Sequence, residues 1–317
     1  MTLIKAENLS KNFRIYQRGN GIKGYLRSFV KREYETVHAV QDLNLEIEEG
    51  EMIGYIGSNG AGKSTTVKML TGILQPSSGK IEVDGRNPHK QRKNNAMNIG
   101  VVFGQKTQLW WDLPEKESFK ILKEIYEVND EDYEDRIDEF DEVLQLSDFW
   151  DQPVRKLSLG QKMRCELAAA FLHHPKIVYL DEPTIGLDVA VKERIRDFIK
   201  KMNREENITV MLTTHDIGDI EDLCERVVVL DTGKKIYDGE LDSLVNRFTS
   251  RRLVMEVRNG EAFELEMDGV QEIEKEDGEE ESVASADGES DSAEPQSQEV
   301  EDESEQDVDE NSSLSNF

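Results

Sequence analysis

Only two cysteines, Cys165 and Cys224, occur in 317 residues. That is too few for a disulfide framework, so a reducing compartment is expected, with both thiols serving as small core residues. No run reaches the roughly 20 apolar residues that a membrane-spanning helix requires, and the opening Met1-Thr2-Leu3-Ile4-Lys5 lacks the apolar stretch of a secretory leader. The expectation is a cytoplasmic chain. There is no internal repeat and no sustained heptad pattern, which argues against a duplicated architecture and against a coiled coil.

Basic residues are nearly missing from one end. Residues 261–317 hold 23 acids against one lysine, Lys275, a net of −22, whereas the first 260 carry 44 acids against 38 bases, a net of −6. The total of −28 therefore belongs mostly to a tail. Beyond about Asp268 the chain is Glu, Asp, Ser and Gln with isolated apolar residues, too little apolar surface to offset the entropy of ordering it. Residues 269–317 are expected to be a disordered, solvated extension, with a docking segment as the other reading. Ahead of it, Leu253–Arg258 and Glu261–Leu265 flank Asn259-Gly260, a type I′ turn signal, so 246–268 is expected to hold a β-hairpin.

Residues 1–245 read as one α/β domain. Met52–Ile56, Ile99–Phe103, Ile177–Leu180, Ile208–Leu212 and Val227–Leu230 are unalternated apolar runs, the pattern of strands buried on both faces. They imply a mostly parallel sheet with helices on either side. Between the second and third runs, Phe119, Leu122 and Tyr126 recur at helical spacing among acids, which suggests a helical subdomain over about 108–160. The acidic run from Asp130 to Glu142 reads as a wet helical face, and Ala190–Met202 as an amphipathic helix packed on the sheet. His173-His174 ends a helix, where a cationic imidazole would favour the dipole.

The chemistry starts at Gly57-Ser58-Asn59-Gly60-Ala61-Gly62-Lys63-Ser64, which satisfies G-x-x-x-x-G-K-[ST] between an expected strand and an expected helix. Glycines let backbone N–H groups converge on phosphate oxygens, and the helix start adds a dipole that favours anions. Gly57 through Thr65 are thus candidate nucleotide-binding residues. Lys63 would reach the β- and γ-phosphates, and the Ser64 hydroxyl would ligate Mg²⁺. A second run, Ile177-Val178-Tyr179-Leu180-Asp181-Glu182, delivers two acids at the carboxyl end of a buried strand, where ligands bind in open α/β sheets. Asp181 is the candidate Mg²⁺ ligand. Glu182, turned elsewhere by strand alternation, is the candidate that polarises the attacking water.

Leu157-Ser158-Leu159-Gly160-Gln161, just ahead of that strand, gives the arrangement a family likeness. With Gln105 after a strand, Gly186-Leu187-Asp188 and His215, the chain resembles an ABC transporter ATPase subunit over about residues 2–240. The resemblance implies a P-loop NTPase fold with an antiparallel β edge. It also implies head-to-tail homodimers holding two ATP, each between one copy's phosphate loop and the other's signature. On that likeness Ser158, Gly160 and Gln161 contact nucleotide held by the partner copy, and Gln105 senses Mg²⁺ and the γ-phosphate. His215 is the switch histidine, and Asp188 communicates between the two sites. Phe13 matches the adenine-stacking position, with Tyr16 as runner-up. The signature carries Leu159 where most members carry glycine. That variant, together with Val101–Gln105 and Gln108–Pro114, is similar to one branch of the exporter-type ATPases.

The implied activity is ATP hydrolysis driving a separate transmembrane permease from the cytoplasmic face. The chain would touch the membrane only through that permease and would bind no nucleic acid. A soluble ABC ATPase uncoupled from transport, and a non-hydrolysing nucleotide sensor, are the competing readings. Trp110 and Trp111 stand either in the groove that receives the permease or in ordinary packing. The stretch 17–35, with Lys23, Arg27, Lys31 and Arg32 among apolar residues, reads as a basic amphipathic helix near lipid or as a solvated insertion.

Overall fold

The computed structural model describes residues 1–16, 34–104 and 106–248, with side chains as far as 245. The expected hairpin strands, the acidic tail, the body of the 17–35 stretch and Gln105 lie outside the described residues. The chain opens with two long strands, β1 (Thr2–Tyr16) and β2 (Tyr34–Glu48). They pair antiparallel from Thr2 opposite Glu48 to Tyr16 opposite Tyr34, so 17–33 connects the arms of one hairpin. β4 (Ser78–Val83) joins the other edge of β1, giving a three-stranded antiparallel sheet.

The second sheet contains β3 (Met52–Gly57), β5 (Ile99–Phe103), β6 (Ile177–Asp181), β7 (Thr209–Thr213), β8 (Arg226–Asp231) and β9 (Lys234–Glu240). Its order is β5-β6-β7-β3-β8-β9, parallel throughout except for the antiparallel edge strand β9. β6 shows why its sequence does not alternate. Ile177 and Tyr179 belong to the core shared with Ile4, Leu43 and Ile47 of the antiparallel sheet. Val178 and Leu180 belong to a second core on the opposite face, with Phe171, Phe198 and Ile199. A strand covered on both sides has no face left for polar residues.

Eight helices are described: α1 (Lys63–Leu70), α2 (Arg92–Ala96), α3 (Glu115–Ile125), α4 (Asp130–Leu144), α5 (Leu159–Phe171), α6 (Val189–Glu206), α7 (Ile217–Leu223) and α8 (Leu241–Phe248). α4 begins where the Asn129 side chain accepts the Asp132 N–H, and Asp130, Glu131 and Asp132 in its first turn suit the positive end of the dipole. It buries Phe140 and Leu144, four residues apart, in the core that also takes Phe119 and Leu122 of α3. That core is continuous with the one behind β6, so α3 and α4 are packed on the sheet's own helices. Among the described residues no helix is long and apolar enough to cross a membrane.

One expectation is corrected. His173 is not a cation at a helix end: its ring stacks on Tyr126 at 3.8 Å between centroids, and Nε2 lies 3.1 Å from the Ile99 carbonyl. Burial pushes the imidazole down to about 4, so it is neutral near pH 7 and offers the dipole nothing.

Candidate functional site

At the end of β3 the chain enters the glycine-rich loop and leaves it at α1. The N-cap of that helix, Gly62, has φ of 105°, and a Cβ there would stand 2.4 Å from the Ala39 carbonyl oxygen. Only glycine satisfies both conditions. The first i→i−4 bond of α1 runs from Thr66 N–H to the Gly62 carbonyl, which leaves the amides of Lys63, Ser64 and Thr65 without intrahelical partners. They open onto the same loop as those of Gly60 and Gly62, the arrangement that binds phosphate at a helix start. Behind the loop, Tyr55 Oη donates to Thr66 Oγ1 at 3.1 Å and fixes its base.

Lys63 is buried, 7% exposed, and its Nζ donates to the Gly57 carbonyl at 2.6 Å and the Ser58 carbonyl at 3.2 Å. Burial pushes its ammonium below the ordinary lysine value, while Glu182 and Asp181 pull the other way. A cation held short of water between two acids and a ring of amides is suited to a polyphosphate.

The acids arrive through sheet register. Asp181 at the end of β6 stands opposite Phe103 of β5 and Thr213 of β7. Its Oδ1 accepts the Thr213 hydroxyl at 2.5 Å and its Oδ2 the Ser64 hydroxyl at 3.1 Å. Glu182 adopts φ of 57°, which ends the strand, and its carboxylate has a partner different from those of Asp181. His215, past the end of β7, places Nε2 at 3.0 Å from Glu182 Oε1. Lys63, Ser64, Asp181, Glu182 and His215 thus gather at the carboxyl ends of β3, β6 and β7.

This donor set fits a hard divalent ion. Ser64 Oγ and one Asp181 oxygen are the kind of ligands Mg²⁺ accepts beside phosphate oxygens and water. Among the described residues no group of three or more His, Cys, Asp and Glu converges as a metal cage, and Mg²⁺ with a nucleotide does not require one.

Ser158, Gly160, Gln161 and Asp188 form a second group. Ser158 caps α5 in a capping box: its hydroxyl accepts the Gln161 N–H at 3.2 Å, and Gln161 Oε1 accepts the Ser158 N–H at 2.9 Å. Among the described residues the hydroxyl proton has no acceptor, so it can be donated outward. Asp188 caps α6, accepting the Val191 N–H at 3.0 Å. The two caps adjoin, since a Cβ at Gly160 would meet Val191 at 3.4 Å and one at Gly186 would meet Leu159 at 3.3 Å. Among the described residues no hydrogen bond or ion pair joins this group to the loop, Asp181, Glu182 or His215 of the same chain. Phe13 on β1 lies with Lys11 Nζ 5.2 Å from its ring centroid, and Tyr16 meets Tyr34 edge-on at 6.0 Å. Trp110 and Trp111 are both exposed, and Lys162 Nζ stands 5.3 Å from the Trp111 ring centroid.

Sequence reasoning missed Thr213, Thr184 and Asp219. Thr213 had a signal in its place at the end of a buried strand, level with Asp181. Asp219 had none, because an acid two residues into a short helix reads as solvated.

The chain matches the ABC transporter family over residues 40–185. It is 35% identical over 210 residues to the ABC transporter ATP-binding protein NatA of Bacillus subtilis, covering 66% of this chain and 85% of NatA. To the methionine import ATP-binding protein MetN of Geobacillus kaustophilus it is 34% identical over 243 residues, 75% of this chain and 66% of that one. Among solved structures, the dimeric post-hydrolysis state of the ATP-binding cassette MJ0796 bound to ADP and Pi superposes with a TM-score of 0.63 at 28% identity, covering 75% of this chain and 98% of that one. With the phosphate loop, the acid pair and the histidine assembled as above, the chain belongs to the ABC transporter ATP-binding proteins and is an ATPase cassette of that family.

Proposed function

We propose that this chain is the ATP-binding and hydrolysing subunit of an ABC exporter, two copies of which close on two ATP molecules to drive a separate membrane permease. The observation that carries the reading is the convergence of Lys63, Ser64, Asp181, Glu182 and His215 on one end of the parallel sheet. In this reading the amides of Gly60 and Gly62–Thr65 and the Lys63 ammonium grip the β- and γ-phosphates. Ser64 and Asp181 hold Mg²⁺, which when bound neutralises charge developing on the phosphate oxygens. Glu182 orients the attacking water and His215 holds the Glu182 carboxylate in place from 3.0 Å. Phe13, exposed on β1, stacks on the base.

The hydroxyl of Ser158 and the amides at the start of α5 form a second anion site, pointed at nucleotide in the partner copy. Their separation from the Lys63 group within one chain supports a site completed by two copies, and MJ0796 forms a dimer. The relatives include an importer, so export rests on the Leu159 signature together with Val101–Gln105 and Gln108–Pro114. The permease is a separate transmembrane chain, which this chain drives from the cytoplasmic face. Residues 1–245 form the cassette, with its helical part at about 108–160.

The test is ATP hydrolysis by the full chain. Glu182→Gln lowers turnover at least tenfold while nucleotide binding persists, given the size of water-orienting effects in phosphoryl transfer. Unchanged turnover removes Glu182 from the chemistry. The permease that co-purifies from membranes identifies the cargo.

A further inference from the structure

The turn that carries His215 is fastened to α6 by a ladder of opposite charges. Lys192, Arg196 and Lys200 stand four residues apart on one face of α6, opposite Asp216, Asp219 and Asp222. Lys192 Nζ meets Asp216 Oδ2 at 2.5 Å, Arg196 Nη1 meets Asp219 Oδ1 at 3.3 Å, and Lys200 Nζ meets Asp222 Oδ1 at 2.5 Å. Arg196 Nε also lies 3.1 Å from Asp222 Oδ2. The outer rungs are partly exposed, and such pairs contribute little individually.

The middle rung is different. Asp219 is 0% exposed, and a buried carboxylate facing a single guanidinium needs further donors to offset its lost hydration. It finds them in two hydroxyls on one oxygen: Oδ2 accepts from Thr184 and, at 3.3 Å, from Thr214, both buried. Thr184 lies two residues beyond Glu182, and Thr214 immediately precedes His215. Thr214 Oγ1 in turn accepts the Asp216 N–H at 3.0 Å, which closes the turn around His215.

We propose that Asp219 is a positioning residue for ATP hydrolysis: its buried carboxylate pins the turn after β6 and the turn after β7 to the same point on α6, and so sets the Glu182–His215 contact. The inference rests on the ATPase reading above and adds a residue to which that reading gives no part in holding phosphate or metal. Without the pin, each turn moves on its own strand, and displacements of about 1 Å at reacting groups cost on the order of 100-fold in rate.

The test compares kcat, KM for ATP and unfolding midpoint in the full chain for Asp219→Asn, Thr184→Val, Thr184→Ser and the Asp219→Asn/Thr184→Val double variant. Asp219→Asn and Thr184→Val are expected to lower kcat about 10- to 100-fold while KM stays within about twofold, the pattern of lost transition-state positioning. Thr184→Ser, which keeps the hydroxyl, restores kcat to within about twofold of wild type, and the double variant falls little below the worse single one. Should Asp219→Asn fail to fold, the Thr184→Val and Thr184→Ser pair decides alone. Wild-type kcat in Thr184→Val and Asp219→Asn overturns the inference, as does a kcat that falls only in step with KM and the unfolding midpoint. A wild type that hydrolyses no ATP, or a Glu182→Gln variant at full speed, overturns the ATPase reading and this inference with it. Full activity in the Asp219 variants beside a dead Glu182→Gln removes only the inference.

Discussion

Ser64 Oγ donates to Asp181 Oδ2 at 3.1 Å across 117 positions of sequence. The contact joins the first turn of α1 to the end of β6, and in the proposed mechanism these two side chains would hold Mg²⁺, which would supply charge neutralisation to the phosphates. Asp181→Asn keeps the shape and loses the charge. Titrating Mg²⁺ at fixed ATP, this variant is expected to need at least tenfold more Mg²⁺ for half-maximal turnover, since a neutral amide is a poor partner for a hard dication. An unchanged Mg²⁺ requirement removes Asp181 from the metal site.

The loop glycines differ in what they tolerate. Gly62 at φ of 105° has the Ala39 carbonyl 2.4 Å from any added Cβ, whereas Gly60 at φ of 83° has nothing within 4 Å. Gly62→Ala combines strain with a backbone clash and is expected to destabilise the chain by about 1–3 kcal/mol and to abolish nucleotide binding. Gly60→Ala meets the strain alone, at about 1 kcal/mol. Denaturant unfolding with and without ATP separates the two, and equal midpoints contradict the reading.

Stability depends on pH through a buried acid outside the site. Glu115, at the start of α3, is fully buried, and this burial pushes its carboxyl up to about 7, with the Cys165 thiol lowering it and Glu166 raising it. The folded chain therefore holds this proton more tightly than the unfolded one. The stabilisation is complete below about pH 4.5 and is lost as pH rises through about 7. Between pH 5 and 8 the wild type is expected to lose about 2–3 kcal/mol relative to Glu115→Gln, read from unfolding midpoints. Parallel pH profiles contradict it.

Much of the site was legible because its chemistry is contiguous in sequence. Gly57–Ser64 lies between a strand and a helix, and Ile177–Asp181 announces a strand buried on both faces. What could not be read depends on partners brought from elsewhere. β1 and β2 do not alternate cleanly because register shifts between Thr2 and Asn12 break the period, so their long pairing stayed hidden. Glu115 and Asp219 look like surface acids in sequence, and only packing shows them fully buried. His173 read as a helix-end cation, but its stacking on Tyr126 is a contact 47 residues away in the chain.

The most direct test of a nucleotide held between two copies mixes a Lys63→Ala chain with a Ser158→Arg chain and measures ATP turnover. Each variant alone is expected to fall at least tenfold below wild type, as the loss of a phosphate clamp implies. In mixed pairs one seam keeps both an intact Lys63 and an intact Ser158, so the mixture regains turnover that neither parent has. A mixture that stays at the average of its two parents contradicts the account, as does a wild-type chain that hydrolyses ATP at full rate while monomeric.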